Sequence, residues 1–166
     1  MALFYTKTFM KEDDYMTPKY AWENIKHLIP TDKIIWESAY GDGKSGEYFK
    51  ELGFSVIHEE IDYFNEEPEI WDIQITNPPF SKKKEWFTRA KILNKPFIIL
   101  VPSSMINTQY IRHLFCTDAN KLQIIIPKKR INFNKLNDDV KPRNTCNFDC
   151  FYYCWKVNLP NDITWL

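Results

Sequence analysis

Several patterns are scarce or missing in this chain of 166 residues. No apolar run approaches the roughly 18 residues that a membrane-spanning helix needs, so the sequence predicts no membrane contact. Only 4 residues are glycine while 44% are hydrophobic, which excludes a fibrous or disordered chain. The first ten residues lack the charged-then-apolar layout of a secretion signal, and acidic residues follow at once. We therefore expect a cytoplasmic protein whose 4 cysteines are reduced.

The charged residues are divided unevenly along the chain, although the formal net charge is zero. Residues 1–72 contain 7 Lys or Arg and 16 Asp or Glu, whereas residues 73–166 contain 15 and 6. The length fits one domain over residues 1–166 and leaves little room for a second core. The surface of such a domain is polarised and can attract an anionic polymer to one side. Unevenly spread, solvated charge without a partner is the alternative.

Short β-branched runs alternate with segments of helical character along most of the chain. Strands are predicted at residues 34–37, 55–59, 72–76, 97–101, 122–126 and 148–157. Helices are predicted at residues 20–28, 44–52 and 82–93, the last capped by Ser81, and from Ser103 or Ser104 through Phe115. The alternation predicts an α/β fold with a mostly parallel twisted sheet and helices on both faces. The last strand follows a long loop, so we expect it to be an antiparallel edge strand.

The first predicted strand ends in Glu37 and runs into the turn Gly41-Asp42-Gly43 before a helix. Glycine is needed where the backbone turns sharply or lets a ligand approach closely, and a tight structural turn would need it equally. The spacing fits neither the dinucleotide fingerprint nor the P-loop. A carboxylate at the end of the strand repels phosphate. The turn therefore favours a ligand that carries an ammonium group.

Asn77-Pro78-Pro79-Phe80 is the most specific motif and directly follows the third predicted strand. Open α/β sheets bind ligands at this end of a strand. Two prolines make the turn rigid and remove two backbone donors, so the Asn77 side-chain oxygen and the Pro78 carbonyl are left as acceptors. These acceptors suit a planar amino group, and Phe80 offers a ring to stack on a flat base. A proline-rich turn that only covers the sheet edge is the alternative.

These motifs resemble those of the class I S-adenosylmethionine-dependent amino-methyltransferases, most closely the small phage- or virus-type adenine-specific (N(6)-adenine) DNA methyltransferases. The resemblance covers nearly the whole chain and implies a Rossmann-like fold with S-adenosylmethionine as cofactor. It implies catalytic roles for Asn77, Pro78, Pro79 and Phe80. The cofactor-binding residues that it implies are Thr17, Pro18, Glu37, Ala39, Gly41, Gly43, Asp62 and Tyr63, together with Glu59 or Glu60 as the acid that binds the ribose.

The resemblance leaves the target open. Related restriction-type enzymes carry a separate target-recognition domain, and this chain has no room for one, so a partner subunit or a homodimer would supply recognition. DNA is the favoured substrate, and RNA is the closest alternative. A non-catalytic auxiliary subunit of a nucleic-acid-modifying complex is a different possibility, although the intact Asn77 motif argues against it. A protein-glutamine methyltransferase is disfavoured because Phe80 stands where those enzymes have Tyr.

Two basic clusters follow strand ends and are predicted to contact phosphates. They are Lys82-Lys83-Lys84 and Lys128-Lys129-Arg130, with Phe148 as a further stacking partner for a base. Solvated lysines with no ligand are the alternative.

No metal is expected, because Cys146, Cys150 and Cys154 lack the two-residue spacing of common zinc sites and have no histidine nearby. His58 lies on a predicted buried strand and is interpreted as structural.

Overall fold

The computed structural model describes residue 13, residues 15–135 and residues 147–166. The expectation about a secretion signal in the first ten residues and the placement of Cys146 lie outside the described residues. No disulfide joins Cys116, Cys150 and Cys154, the cysteines of the described residues; the first is exposed and the other two are buried. Within the described ranges, no helix is long and apolar enough to cross a bilayer.

Seven strands and four α-helices make up the described chain. The strands are β1 (Ile34–Trp36), β2 (Ser55–Ile57), β3 (Ile73–Thr76), β4 (Phe97–Pro102), β5 (Leu122–Ile126), β6 (Cys150–Trp155) and β7 (Ile163–Trp165). The helices are α1 (Lys19–Glu23), α2 (Lys44–Glu51), α3 (Lys83–Leu93) and α4 (Gln109–Phe115). Short 3-10 turns cover Lys26–Leu28, Phe80–Lys82 and Ser103–Asn107.

The strands form one sheet in the order β2-β1-β3-β4-β6-β5-β7. β1 pairs in parallel with β2 and β3, and β3 pairs in parallel with β4. β6 is antiparallel to both β4 and β5, and β7 is parallel to β5. Six strands therefore run in one direction and end at the same edge of the sheet. This edge carries the sites described below.

Both faces of the sheet are covered, as the alternation of strands and helices predicts. Neighbouring residues of a strand point to opposite faces, and on β6 they contact different helices. The Tyr153 ring lies 5.7 Å from the Phe87 ring of α3. The Tyr152 hydroxyl donates to the carbonyl of Ala21 in α1 at 2.6 Å. Every residue of β4 from Phe97 to Val101 is buried, as expected for a strand covered on both sides.

The α/β fold and all six predicted strands are confirmed, but the place predicted for the antiparallel strand is wrong. β6 lies between β4 and β5 rather than at an edge, because it returns between these two strands and pairs antiparallel with both. Residues 103–115 were predicted as one helix capped by a serine. They instead form a 3-10 turn followed by α4, and Thr108 caps α4 by accepting from the Ile111 N–H at 3.3 Å.

Candidate active site

Glu37 follows the end of β1 and is 1% exposed. Its carboxylate accepts hydrogen bonds from the hydroxyls of Ser45, at 2.7 Å, and Thr76, and from the backbone N–H of Ala39 at 3.1 Å. Burial raises its pKa to about 8, although the three donors act in the opposite direction. No cation is among these partners. A positively charged ligand beside Glu37 would therefore stabilise the ionised carboxylate.

Ser45 connects this carboxylate to the first helix. Its hydroxyl donates to Glu37 and accepts from the indole N–H of Trp22, each at 2.7 Å. Trp22 is fully buried and its ring lies 5.0 Å from that of Phe49 on α2. The orientation of Glu37 is therefore fixed by packed side chains on α1 and α2. The Trp22 indole acts on Glu37 through Ser45.

The glycine turn after β1 has the left-handed backbone that its sequence predicts. Gly41 has φ +58° and Gly43 has φ +80°. A Cβ at Gly41 would also lie 3.1 Å from the sulfur of Met16, which belongs to the segment that crosses the turn. Any other residue at these positions would be strained, so the turn needs both glycines.

His58 holds this turn against α2. Its Nδ1 accepts from the Gly46 N–H at 3.0 Å, and its Nε2 lies 3.0 Å from the Ala39 carbonyl, to which it donates. Burial lowers the pKa of His58, so the neutral imidazole that these two bonds require is favoured. A Cβ on Gly46 would come within 2.3 Å of Nδ1. The structural interpretation of His58 fits this geometry, and Gly46 is needed to let the ring approach.

Asn77 follows β3, and its amide is oriented by the N-terminal segment. The side-chain amino group donates to the Tyr15 carbonyl at 2.9 Å. The side-chain oxygen is buried and has no hydrogen-bond partner within the described part of the chain. A buried acceptor without a donor costs about 1–3 kcal/mol. The oxygen is therefore available to a donor from outside the chain.

Phe80 is packed among aromatic side chains rather than open to solvent. It is 7% exposed, and the Tyr15 ring stacks on it with a centroid distance of 5.4 Å and an interplanar angle of 26°. Phe133 and Phe148 contact its ring edge-on at 6.0 Å and 5.4 Å. Phe148, which the sequence analysis names as a stacking partner for a base, is thus a neighbour of Phe80, and Phe133 is a second one. A base can stack on Phe80 only if Tyr15 moves aside.

A single cleft joins the glycine turn to the Asn77 motif. Its lining consists of Asp13, Tyr15, Met16, Thr17, Glu37, Ala39, Tyr40, Gly41, Asp42, Ser45, Asn77, Pro78, Pro79 and Phe80. Three of these side chains are acids, and none is basic. The cleft therefore favours a cation and disfavours phosphate. Sequence reasoning missed Asp13 and Tyr15, because only the fold brings the N-terminal segment onto Asn77 and Phe80.

Some predicted cofactor residues lie outside this cleft. Tyr63 is 1% exposed, its ring stacks on Trp86 at 4.1 Å, and its hydroxyl contacts Gln74. It is packed in the core in this arrangement, and its contact with the cofactor remains a prediction. Asp62 accepts from the backbone N–H of Phe64 in a local turn. Pro18 is buried and occupies the N-cap position of α1 without a side-chain capping bond.

Glu59 and Glu60 follow β2 and are exposed. Neither lines the cleft, and the choice between them as the ribose acid stays open. Both remain predictions.

The basic clusters have different surroundings. Lys83 donates to the Phe80 carbonyl at 2.9 Å and so stabilises the 3-10 turn before α3. Arg130 forms two hydrogen bonds with the Asp149 carboxylate, at 2.9 Å and 3.1 Å, which neutralise much of its charge. Lys128 and Lys129 are exposed. Phosphate contacts at these residues, and at Lys82 and Lys84, remain predictions.

The start of α3 differs from its prediction. Ser81 was expected to cap this helix, but its hydroxyl and N–H both bind the Asp13 carboxylate, and α3 begins at Lys83.

No group of three His, Cys, Asp or Glu side chains is placed to hold a metal ion in the ranges described.

Comparison with known proteins finds similarity in structure only. No protein-family model matches the sequence, and no curated protein is significantly similar to it. A candidate class I S-adenosylmethionine-dependent methyltransferase from Listeria monocytogenes matches with TM-score 0.51 and 12% identity, over 94% of this chain and 66% of that one. A candidate RNA methyltransferase from Pyrococcus horikoshii matches with TM-score 0.53 and 14% identity, over 93% and 92%. The chain has the Rossmann-like fold of class I methyltransferases.

Proposed function

We propose that the protein transfers a methyl group from S-adenosylmethionine to the exocyclic amino group of adenine in DNA. The observation that carries this proposal is the buried Asn77 oxygen without a donor. Its partner nitrogen is already committed to the Tyr15 carbonyl, so the amide cannot turn to satisfy it without losing that bond. An amino group that carries two hydrogens supplies the missing donor.

The cleft fits the proposed cofactor in charge. Bound S-adenosylmethionine would supply an activated methyl group, and it carries an ammonium and a sulfonium charge. Glu37 is buried without a cationic partner, and Asp42 and Asp13 also line the cleft. The ammonium group would lie beside Glu37, and the glycine turn at Gly41 and Gly43 would let the ligand approach the backbone. Dinucleotides and nucleoside triphosphates are disfavoured by the same acids.

The chain's own residues would act by positioning. The Asn77 oxygen and the Pro78 carbonyl would accept the two amino hydrogens and hold the nitrogen in line with the methyl group. The Pro79 carbonyl is already used, since it accepts from the Lys82 N–H at 3.0 Å. In the net transfer an N–C bond would replace the methyl–sulfur bond, and the nitrogen would release one proton to water. The adenine must be flipped or unpaired to reach Asn77, and it would take the place of the Tyr15 ring on Phe80.

The unsatisfied Asn77 oxygen also bears on the competing functions. A non-catalytic subunit has no use for an unsatisfied acceptor in its interior, because filling that position with an apolar residue would remove its cost. Methylation of adenine in RNA would use the same acceptor, and one structural neighbour is a candidate RNA methyltransferase. At 14% identity that neighbour carries no argument about the substrate of this chain.

The test is nucleoside mass spectrometry after incubation with S-adenosylmethionine and duplex DNA, single-stranded DNA or RNA. Methyladenine in either DNA pool is the expected result. Methyladenine in the RNA pool alone would keep the reaction and change the substrate. Bound cofactor with no methylated nucleoside in any pool would contradict the proposal.

A further inference from the structure

A second groove lies on the same sheet edge, outside the cleft. It is lined by Tyr20, Asn24, His27, Lys128, Lys129, Trp165 and Leu166. Trp165 is 75% exposed and Tyr20 is 40% exposed. An exposed tryptophan leaves a large apolar ring in water, which is unusual unless a partner covers it.

The groove is close to the proposed target-base site. Lys128 and Lys129 follow β5, which runs in the same direction as β3, so they lie at the edge that carries Asn77. Phe133 lies four positions after Lys129, so the chain between them spans at most about 14 Å. The Phe133 ring contacts Phe80 at 6.0 Å. Together these distances reach at most about 20 Å, and stacked nucleotides rise about 3.4 Å each along a strand, so the groove is within about six nucleotides of the target base.

The charge of the groove fits a polyanion. Lys128 and Lys129 are exposed, and neither forms an ion pair with an acid among the described residues. No acidic side chain belongs to the groove lining given above. The next basic residue, Arg130, is held by Asp149 instead. Two unpaired lysines beside exposed aromatic rings are therefore available to phosphates.

The exposed ring indicates an unpaired strand rather than a duplex. Proteins that bind single strands combine basic groups along the backbone with aromatic side chains on which bases stack. In a duplex the faces of the bases are covered by their neighbours and cannot stack on Trp165. We propose that this groove binds unpaired nucleotides that flank the target base, with phosphates at Lys128 and Lys129 and a base on Trp165. The inference rests on the proposed function, because it assumes a nucleic-acid substrate, and it narrows that substrate to single-stranded segments.

The test is fluorescence anisotropy with a labelled single-stranded oligonucleotide, alone and annealed to its complement, without cofactor. Trp165→Ala should weaken single-strand binding about 5- to 150-fold, which corresponds to the 1–3 kcal/mol of one stacked base. Replacing Lys128 and Lys129 by Ala should lower the slope of affinity against salt by about 1.4. Ile163→Ala is the matched control, because Ile163 lies on the same strand and is 53% exposed but does not line the groove. It should bind as the wild type does.

The outcomes separate this inference from the proposed function. Two results would overturn the proposed role of the groove even if methyladenine forms. One is that Trp165→Ala binds the single strand as tightly as the wild type does. The other is a preference for duplex that Trp165→Ala does not change. Loss of single-strand binding in Trp165→Ala but not in Ile163→Ala supports the proposed role of the groove even if no methyl transfer is found. Self-association that Trp165→Ala abolishes, with strand binding intact, would also overturn it, since a second copy would then cover the ring.

Discussion

The cleft and the groove lie on one sheet edge and differ in charge and in how their side chains are held. In the cleft, Glu37 is buried and receives three hydrogen bonds from its own chain. In the groove, Lys128 and Lys129 are exposed and unpaired among the described residues, and Trp165 is 75% exposed. One region is acidic and fixed, and the other is basic and open.

This difference matches two kinds of ligand. A small cation bound in a fixed cleft loses little further freedom from the protein side, so its orientation can be controlled closely. A flexible polyanion needs charges and stacking surfaces that tolerate many sequences. The sign of the net charge in each half of the sequence agrees with this division, since Glu37 belongs to the acidic half and Lys128 to the basic half.

The largest expected effect comes from Asn77→Ala, which removes the acceptor and leaves the acids of the cleft in place. Methyl transfer should fall about 100- to 1,000-fold, the usual cost of one preorganised group at a reacting centre. Cofactor affinity should stay within about threefold, measured by calorimetry on the same preparation. Asn107→Ala, at an exposed position outside the cleft, is the control. Loss of cofactor binding in Asn77→Ala would mean that the two subsites are wrongly placed.

Glu37→Gln tests the charge of the cleft. It should weaken S-adenosylmethionine binding about 10- to 100-fold, because a charge-assisted hydrogen bond is worth about 1.5–3 kcal/mol. Single-strand binding at the groove should not change, since Glu37 is buried within the cleft. An unchanged dissociation constant for the cofactor would show that Glu37 does not face the ammonium group.

The pH dependence of stability provides a second test of Glu37. Burial raises its folded pKa to about 8 from 4.5, so its contribution to stability is complete below 4.5 and is lost as the pH rises toward 8. His58 acts in the opposite sense, because its lowered pKa means that stability is lost as the pH falls below 6.5. Between pH 6.5 and 8 we therefore expect the melting temperature to fall with pH, and to fall less in Glu37→Gln. A melting temperature that rises equally in both proteins would contradict the raised pKa.

Gly46→Ala tests the fixed character of the cleft. Its Cβ would lie 2.3 Å from His58 Nδ1, so the ring must shift and lose its bond to the Gly46 N–H. Overpacking of this kind costs about 1–3 kcal/mol, or roughly 2–12 °C in melting temperature. Gly53→Ala is the control. The added Cβ would meet nothing within 4 Å, so the substitution is strained only by the backbone φ of +94°. Cofactor affinity should fall in Gly46→Ala alone, and equal affinity in both variants would refute the role of His58.

The smallest expected effect concerns Arg130, which follows Lys129 in the chain and forms an ion pair with Asp149. Asp149→Asn should remove this ion pair and raise single-strand affinity about two- to fivefold at low salt, since an exposed ion pair is worth up to about 1 kcal/mol. The salt slope should increase by about 0.7. Asp162→Asn makes the same charge change and frees Lys121 at the other end of β5. An equal gain in both variants would indicate a general charge effect and no local contact.

The sequence predicted the parts of the site that are local in the chain. Glu37, Gly41 and Gly43 lie in one strand-to-turn segment, and Asn77 to Phe80 form one motif. Residue type and spacing were therefore sufficient to select these residues as candidates. The short strand β7 was missed, because three residues give too little periodicity to recognise. The position of β6 was missed for a different reason, because its insertion between β4 and β5 depends on pairing with strands distant in the chain.

Long-range contacts were beyond the sequence. The stacking of Tyr15 on Phe80 and the bond from Asn77 to Tyr15 join residues more than sixty positions apart in the chain. Tyr63 was assigned to the cofactor through the family resemblance, yet it packs on Trp86 in the core. An aromatic residue after a strand suits either place, and only the packing of α3 against the sheet decides between them.

The most direct test of the account is a comparison of two adenosyl ligands of opposite charge by calorimetry on the wild-type protein at pH 7.5. S-adenosylmethionine is cationic, and NAD carries two phosphates. The account predicts that the first binds and that the second does not, because Glu37, Asp42 and Asp13 line the cleft and no basic residue lines it in the described part of the chain. Binding of NAD without binding of S-adenosylmethionine would contradict the assignment of the cleft, and the proposed reaction with it.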